Sequence, residues 1–380
     1  MMYNPVYDAR YQKVMDCIAF KNEHVVSTQM GQAVAPSFDD SITLAEFMDD
    51  TQKGIDAFIR FVDGLNERAP IDCINFAYPA GHKAALTMCW WSKLNMPGHE
   101  LPEDAVWQVE ESERMSRADY DTIIEEGSSA SVQQKVIGDL VTEQEIGAFF
   151  DYYVINNDKY SMQYVDAGYP VLNSGIACPP FETLCGGRSM SKFFMDCYKI
   201  LDKVKAVEDI MFEELKAQLE SLPDAESKPP YMIGRWVGGW RGASNMVNPK
   251  IWDQLVWPYM KGAAEILLTK GITPIFHLDA CWDRDLERFL ELPPKTCIIN
   301  PDGMTDMRRA REILGDHMAL MGDVPSQMLT VCSKAEIEDY VRRLINDIGP
   351  QGLFIAPGCD APGSSKYENL VAIHEVAQEF

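Results

Sequence analysis

The chain has 380 residues, a formal net charge of −24 and 24% charged residues. This acidic balance argues against nucleic-acid binding, because a phosphate backbone attracts a basic surface. Residues 1–16 lack the apolar core and the cleavage site of a signal peptide. No apolar stretch reaches the roughly 18 residues of a membrane span. Ten scattered cysteines without CxxC pairs are typical of reduced thiols. We therefore expect a cytoplasmic protein that does not enter a membrane.

The N-terminal third is expected to be mostly helical. Residues 1–70 are acidic, and residues 43–67 carry apolar positions at helical spacing, so 1–70 is interpreted as a helical N-terminal extension. The short apolar stretch IDCINFA (71–77) predicts a buried strand. The stretch 90–108, rich in Trp and Pro, indicates a lid or the wall of an entrance. Residues 131–137 are a candidate for one further strand.

Strand and helix patterns alternate from residue 171 to the C-terminus. The predicted strands are VLNSGIA (171–177), YMIGRWVGG (231–239), ITPIFHLD (272–279), CIIN (297–300), HMALMGDV (317–324) and GLFIAPGCD (352–360). The predicted helices are 188–220, 248–271, 305–315, 333–349 and 366–380. Asn248 and Pro249 are expected to begin the second of these helices, and Pro258 to kink it. Ser333 with Glu336 forms a capping box at the start of the fourth.

Repeated strand–helix units predict a parallel sheet with crossover helices. Seven strands, or eight with residues 131–137, favour an α/β fold of the (β/α)8 TIM-barrel type, built as a single domain over 1–380. An open doubly wound sheet is the alternative, but no glycine-rich turn follows the first strand. The GxGxxG and Walker A motifs are absent from the sequence. Nucleotide cofactors therefore receive no support.

Polar residues stand where the predicted strands end. They are His277, Asp279, Asn300, Asp302, Asp323, Cys359 and Asp360. In a barrel the carboxyl ends of the strands meet at one mouth, where active sites form. His277 and Asp279 are two residues apart, so they point to the same side of a strand. Imidazole, carboxylate and thiolate can form a zinc site with an open fourth position. Cys359 is the thiolate candidate, and Cys281 is a local alternative.

Each candidate also has an ordinary structural interpretation. A single buried histidine is more commonly a hydrogen-bonded core residue, and Asp302 and Asp323 could be helix caps or turn residues. The tryptophans could fill a large core or line an oligomer interface, and a homodimer stays open. Spacing alone therefore makes zinc plausible without establishing it.

Three stretches resemble the uroporphyrinogen decarboxylase superfamily, and within it the corrinoid-dependent methyltransferases. They are WWSKLNMPGHELPEDAVWQVEESERMSRADYDTIIEEG (90–127), NPKIWDQLVWPYMKGAAEILLTKGITPIFHLD (248–279) and MGDVPSQMLTVCSKAEIEDYVRRLINDIGPQGLFIAPGCDAP (321–362). The resemblance implies a single (β/α)8 barrel. The Arg-rich N-terminal motif that grips porphyrin carboxylates is missing, since residues 1–40 contain only Arg10. A substrate with many carboxylates needs several cations, so decarboxylation of uroporphyrinogen is not expected.

The methyltransferases of this superfamily that methylate coenzyme M hold zinc with a His-x-Cys pair and a later Cys. His277 and Cys359 match this pattern, whereas Asp279 replaces the middle Cys. A carboxylate is a harder ligand than a thiolate and leaves zinc more Lewis acidic, which favours polarising an oxygen over activating a thiol. The sequence is similar to the methyltransferase component of anaerobic O-demethylases. That resemblance implies methyl transfer from a methoxylated aromatic compound to a cobalt(I) corrinoid (cobalamin).

The resemblance leads to one hypothesis for the remaining candidates. The expected ring contacts are Trp236, Tyr231 and Trp282. Arg235 is expected to pair with a ring carboxylate, and Asp323 or Asp302 to protonate the ether oxygen. A DxHxxG-type corrinoid motif is absent, so the corrinoid should arrive on a partner protein. The alternatives are a coenzyme M-type thiol methyltransferase or an amine methyltransferase with the same zinc, a metal-free lyase, and a non-enzymatic binding protein.

Overall fold

The computed structural model describes residues 3–31, 33–76 and 82–380. The strands of this part of the chain are β1 (Val26–Gln29), β2 (Cys73–Phe76), β3 (Lys93–Asn95), β4 (Gln108–Glu110), β5 (Val171–Ala177), β6 (Gly234–Val237), β7 (Thr273–Leu278), β8 (Ile298–Pro301), β9 (Ala319–Val324) and β10 (Leu353–Pro357). Strands β3 and β4 form a small antiparallel pair. The other eight are parallel and close into a barrel, in which β10 pairs with β1. The predicted (β/α)8 barrel is therefore confirmed.

Helices surround the barrel and fill the long excursion between β2 and β5. They are α1 (Pro5–Ile18), α2 (Leu44–Asp49), α3 (Thr51–Arg68), α4 (His82–Trp90), α5 (Arg117–Glu126), α6 (Ala130–Ile137), α7 (Glu143–Phe150), α8 (Asn157–Asp166), α9 (Pro180–Arg188), α10 (Met190–Lys199), α11 (Leu201–Glu220), α12 (Pro249–Leu255), α13 (Trp257–Thr269), α14 (Met307–Leu314), α15 (Ser326–Val331), α16 (Lys334–Ile348) and α17 (Tyr367–Ala377). Short 3₁₀ turns lie at Ala35–Phe38 and Leu286–Glu291, and a π-helical turn at Asp151–Ile155. None of the described helices combines the length and hydropathy that a membrane span needs.

One end of the barrel is closed by α1. Val14, Cys17 and Ile18 of this helix belong to the same buried cluster as residues near the beginnings of the strands, such as Val26 and Phe354. Burying these side chains removes apolar surface from water at about 25 cal/mol per Å². The end where the strands begin is thus packed, and the opposite end, where the strands finish, is left for a binding site.

The eighth strand was predicted at the wrong place. Residues 131–137 lie in helix α6, and the remaining barrel strand is β1, inside the segment expected to be helical. All four residues of β1, VSTQ, are buried, but only the first is apolar. The side chains of Ser27 and Gln29 are satisfied by His374 of α17, so a strand without an apolar run is stable there.

Most other boundaries agree with the predicted pattern. Asn248 caps α12 with Pro249 at the first position, and the helix breaks at Val256, two residues before Pro258. Ser333 and Glu336 form the predicted capping box of α16. The predicted helix 188–220 is divided into three segments, and residue 77, the end of the predicted first strand, lies outside the described residues.

Candidate functional site

His277, near the end of β7, is held in one orientation by Asn300 of β8. The Asn300 side-chain amide donates to the carbonyl of Met321 at 3.0 Å, which leaves its Oδ1 as an acceptor. His277 Nδ1 lies 2.8 Å from that oxygen, so Nδ1 carries the proton and donates it. The neutral ring then presents the lone pair of Nε2 to the mouth of the barrel. A hydrogen bond of this kind is how proteins orient a histidine that binds a metal.

Two further ligand-type atoms face Nε2. Asp279 Oδ1 lies 3.5 Å from it and Cys359 Sγ lies 3.8 Å from it. The three ligand atoms are all within 4.8 Å of one another, and this group is hereafter called the triad. Asp279 follows β7 directly, whereas Cys359 stands two residues beyond the end of β10. The folding of the barrel therefore unites residues that are 82 positions apart in the chain.

The triad suits zinc in both its donor set and its spacing. Zinc bonds of about 2.0–2.3 Å to nitrogen, oxygen and sulfur place adjacent ligand atoms of a tetrahedron roughly 3.3–3.8 Å apart. Burial raises the pKa of the Asp279 carboxyl; the neighbouring His277 acts against this shift, and the charge of Asp302 adds to it. Burial also raises the pKa of the Cys359 thiol well above its usual range. A bound cation would offset these costs of burying negative charge.

Glycine allows the Cys359 loop to approach the triad. A Cβ at Gly358 would lie 2.9 Å from the backbone carbon and oxygen of Asp302, a contact that no larger residue could make without moving the loop. The Gly358 amide also donates to the carbonyl of Val324 at 2.9 Å. The loop after β10 is thereby fixed against the ends of β8 and β9.

A stack of rings supports the triad from the side of β6. The Trp236 ring lies parallel to the His277 ring with centroids 4.6 Å apart, and Phe76 stacks on Trp236 at 4.7 Å. Asn75 accepts from Trp236 Nε1 at 3.4 Å and donates to Asn300 at 3.3 Å. His277 is therefore restrained both through its ring face and through Nδ1.

An open cavity of about 750 Å³ lies over the triad. We call it the triad cavity; its lining residues are Phe76, His82, Leu86, Trp90, Trp107, Ile176, Cys178, Glu182, Trp236, Gly238, Gly239, Trp240, His277, Asp279, Cys359 and Asp360. Trp90 meets Trp107 and Trp240 with centroids 6.1 and 5.5 Å apart, so three indole rings form one wall. The expectation that residues 90–108 form an entrance wall agrees with this arrangement.

The loop after β6 is fixed to α9 by a buried carboxylate. Glu182 accepts from the backbone amides of Trp240 and Gly242 at 3.0 Å and from that of Arg241 at 2.9 Å. The Arg241 guanidinium in turn lies 4.1 Å from the centre of the Trp240 ring. These contacts hold the Trp240 wall in place. Neither Glu182 nor Asn75 was singled out in the sequence, because both act on backbone or on other polar groups across long separations.

The two expected acids, Asp302 and Asp323, are not among the described residues that line the triad cavity. Asp302 accepts from the backbone amides of Ala280 and Met304 at 3.0 and 2.8 Å, a pattern that suits a structural carboxylate. Asp323 accepts from the hydroxyl of Tyr340 at 2.8 Å. Tyr340 belongs to α16 in the outer helical layer, so the side chain of Asp323 is engaged away from the triad.

The expected ring contacts are divided by the structure. Trp236 lines the triad cavity, whereas Trp282 is fully buried and donates to the backbone carbonyl of Asp279 at 2.8 Å. Trp282 therefore positions a triad residue and has no surface left for a ligand. Neither Arg235 nor Tyr231 is among the described lining residues of the triad cavity. Tyr231 lines a second cavity, which shares Phe76 with the first. Cys281 is not part of the triad.

Comparisons with known proteins agree with the barrel. The model of the uroporphyrinogen decarboxylase (URO-D) family matches residues 175–380, more than half of the 380 residues. The structure is similar to that of a methyltransferase from Methanosarcina mazei, with a TM-score of 0.65, 13% identity and 98% of each chain covered. None of the curated proteins matches the sequence. At 13% identity the structural likeness concerns the fold, but the family match extends over most of the barrel and all three triad residues. The chain therefore belongs to the uroporphyrinogen decarboxylase family.

Proposed function

We propose that this chain moves a methyl group from an aryl methyl ether to the cobalt(I) corrinoid of a partner protein, with zinc held by His277, Asp279 and Cys359. The observation that carries the proposal is the triad itself, placed at the base of an aromatic-walled cavity at the carboxyl ends of the strands. A zinc ion in this site would supply Lewis acidity toward an ether oxygen. The family match is compatible with this chemistry.

The reaction needs an activated leaving group. Cobalt(I) donates an electron pair to the methyl carbon, a cobalt–carbon bond forms, and the carbon–oxygen bond breaks. The phenolate leaves with the bonding pair and later takes a proton from water. Phenolate is a poor leaving group, so stabilisation of its charge where it develops accounts for much of the expected rate enhancement.

The side chains around the triad have definable tasks. Trp90, Trp107 and Trp240 offer flat apolar faces against which a methoxylated ring can pack. Asn300 accepts from Nδ1 of His277, so that Nε2 is the nitrogen that faces the triad, and Trp236 limits rotation of the same ring. The carboxylate of Asp279, in place of a second thiolate, favours action on oxygen over activation of a thiol. We assign no proton transfer to Asp302 or Asp323.

The test is a pair of measurements on the purified protein and on the matched variants Cys359→Ala and Cys281→Ala. We expect about one zinc per chain in the wild type and in Cys281→Ala, and loss of zinc in Cys359→Ala, since three protein ligands define such a site. Incubation with a cobalt(I) corrinoid and a methoxylated benzoate or phenol should yield methylcobalt, seen by absorbance, and the free phenol. Both products should fall with the zinc content.

Two outcomes would replace the proposal with an alternative. Methylation of a thiol without release of a phenol would identify a thiol methyltransferase with the same metal. Zinc-free wild-type protein that stays active after chelation would refute the metal assignment and favour a lyase or another metal-free reaction on this barrel.

A further inference from the structure

The lining of the triad cavity is one-sided in its charge. Its described residues include three with carboxyl groups, Glu182, Asp279 and Asp360, and none that is a lysine or an arginine. Residues 32 and 77–81, outside the described part of the chain, are not basic either. Most of the remaining lining side chains are aromatic or aliphatic. A ligand in this cavity therefore meets a surface that is apolar or negative.

A metal ion in the triad would not reverse this balance. Asp279 would bind as a carboxylate and Cys359 as a thiolate, so two negative ligands offset the two charges of a zinc ion. Glu182 accepts from three backbone amides with both of its oxygens, as an ionised carboxylate does. His82 stays neutral, because burial lowers its pKa to about 3. The described lining thus has no surplus of positive charge with or without the metal.

Arg235, the residue expected to pair with a ring carboxylate, lies on the other face of its strand. It precedes Trp236 on β6, and adjacent residues of a strand point to opposite faces. Trp236 lines the triad cavity, whereas the guanidinium of Arg235 lies against Gly175 of β5, where an added Cβ would be 3.1 Å from Arg235 Cζ. The structure therefore removes the carboxylate partner that the sequence suggested.

The other two basic residues that adjoin lining residues in the chain are engaged by protein groups. Arg241 is 3% exposed and donates to the carbonyl of Glu182 at 3.2 Å and to the hydroxyl of Ser92 at 3.3 Å. Lys83 forms an ion pair with Glu145 at 2.7 Å. Neither is among the described lining residues. An anionic ligand would thus find no cationic side chain in the described wall.

We propose that the triad cavity selects methoxylated rings that carry no negative charge, such as methoxyphenols, and rejects methoxylated benzoates. A benzoate would lose hydration on entry and gain no cationic partner, a cost that an uncharged ring avoids. The indole walls add to this preference, because the negative face of a π-system repels an anion. A phenol loses its proton only near about pH 10, so it is uncharged at neutral pH.

The inference rests on the proposed function for the reaction, but the selectivity itself is a property of binding. The test is calorimetric titration of the purified full chain with 4-methoxybenzamide, 4-methoxybenzoate and 4-methoxyphenol. We expect the amide and the phenol to bind at least about tenfold more tightly than the benzoate. The amide has the shape of the carboxylate without its charge, so the ratio of these two affinities isolates the effect of charge. Equal or tighter binding of the benzoate, including binding through the metal, would overturn the proposal, as would a lack of binding by all three.

Two variants of Trp107 test whether the charge of the wall sets the ratio. Trp107 lines the cavity and is partly exposed, so a charged side chain at this position can keep its hydration. Trp107→Met and Trp107→Lys both replace the indole by an unbranched chain, and only the second adds a positive charge. Trp107→Met should weaken the amide and the benzoate alike and keep their ratio. Trp107→Lys should bring the benzoate to within about threefold of the amide. The same ratio in both variants would refute a role for the charge of the lining.

Methyl transfer separates this inference from the proposed function. If the ratio of affinities holds and no methylcobalt forms from 4-methoxyphenol, the proposed function fails and the charge selectivity stands. If methylcobalt forms from the benzoate as readily as from the phenol, at equal concentrations below saturation, the selectivity fails and the proposed function stands.

Discussion

The two halves of the chain contribute differently to the site. Residues after 175, where the family match begins, supply the whole triad and Asn300. Residues before it supply much of the wall: Phe76, His82, Leu86, Trp90 and Trp107. The candidate metal ligands thus lie at the ends of regular strands, whose positions are fixed by backbone pairing. One side of the cavity, with His82, Leu86, Trp90 and Trp107, comes from the excursion of helices and loops between β2 and β5, in which backbone pairing imposes fewer constraints.

This division indicates which part of the chain can change ligand specificity without loss of the metal ligands. A change in the excursion alters which ligand fits without touching the metal ligands, as loops on a rigid barrel commonly allow. A change at the strand ends alters the metal site itself. The predictions below test whether metal binding and ligand binding are as separable as the structure indicates.

The largest expected effect is a loss of zinc affinity on substitution of Asn300, in the C-terminal half. Asn300→Leu removes the acceptor that holds Nδ1 of His277. Loss of such a supporting hydrogen bond costs roughly 10–100-fold in metal affinity. Zinc affinity is measured by competition with a chromogenic chelator. Asn300→Asp, which keeps an acceptor at that position, should retain most of the affinity.

The control for this change is Asn369→Leu. Asn369 is also buried, and its amide donates to the carbonyls of Leu329 and Cys332. Neither of these partners belongs to the triad. This variant should lose stability while keeping its zinc affinity. If both variants lost zinc equally, the effect would be one of general destabilisation, and the role of Asn300 in orienting His277 would be wrong.

A smaller effect is expected on substitution of Trp90 in the N-terminal half, and it concerns ligand binding instead of zinc binding. Trp90→Ala removes one of the three indole rings of the cavity wall and should weaken the binding of a methoxylated aromatic about tenfold, since a lost aromatic contact is worth about 1 kcal/mol besides its buried area. Zinc content should not change. Trp90→Phe should recover part of the affinity, and a loss of zinc in Trp90→Ala would contradict the division between the halves.

The same division explains how much the sequence could reveal. In the C-terminal half, apolar runs alternate with capped helices, and the polar residues that end those runs include all three triad residues. Their spacing predicted His277 and Asp279 on one side of a strand, and Cys359 was the thiolate candidate because it ends another predicted strand, in agreement with the resemblance. What spacing could not show is direction: Asp323 ends a strand as His277 does, but its side chain contacts Tyr340 in the helical layer.

In the N-terminal half, the sequence patterns that predict strands are weak. Strand β1 has the sequence VSTQ, which shows no alternation of apolar and polar residues. A strand of this composition is stable because a histidine some 345 residues away accepts from or donates to its polar side chains. Residues 131–137 contain apolar positions that suit a short strand as well as the helix they form. The sequence singled out Arg235 and Tyr231 as ligand-type residues, and only the structure could show that Tyr231 lines a second cavity.

The smallest effect concerns His374, which joins the two halves by binding β1 from α17. Gln29 uses its amide nitrogen on the carbonyl of Met30, so its Oε1 accepts from Nε2 of His374, and Nδ1 accepts from Ser27. Burial lowers the pKa of His374 to about 3. Because the folded pKa lies below the unfolded value of about 6.5, the neutral ring contributes stability that is present above pH 6.5 and is lost as the pH falls toward 3.

Between pH 7 and pH 6 this single group should lower the free energy of unfolding by about 0.7 kcal/mol. Urea denaturation at the two pH values measures the change, and His374→Gln should reduce it by that amount. His24→Gln is the matched control, because it replaces the same residue type at an exposed position. An unchanged pH dependence in His374→Gln would mean that the contact between β1 and α17 opens in solution. The first strand would then be held by its pairing with β2 and β10 alone, and the dependence of the N-terminal half on the C-terminal half would be weaker than the hydrogen bonds of His374 indicate.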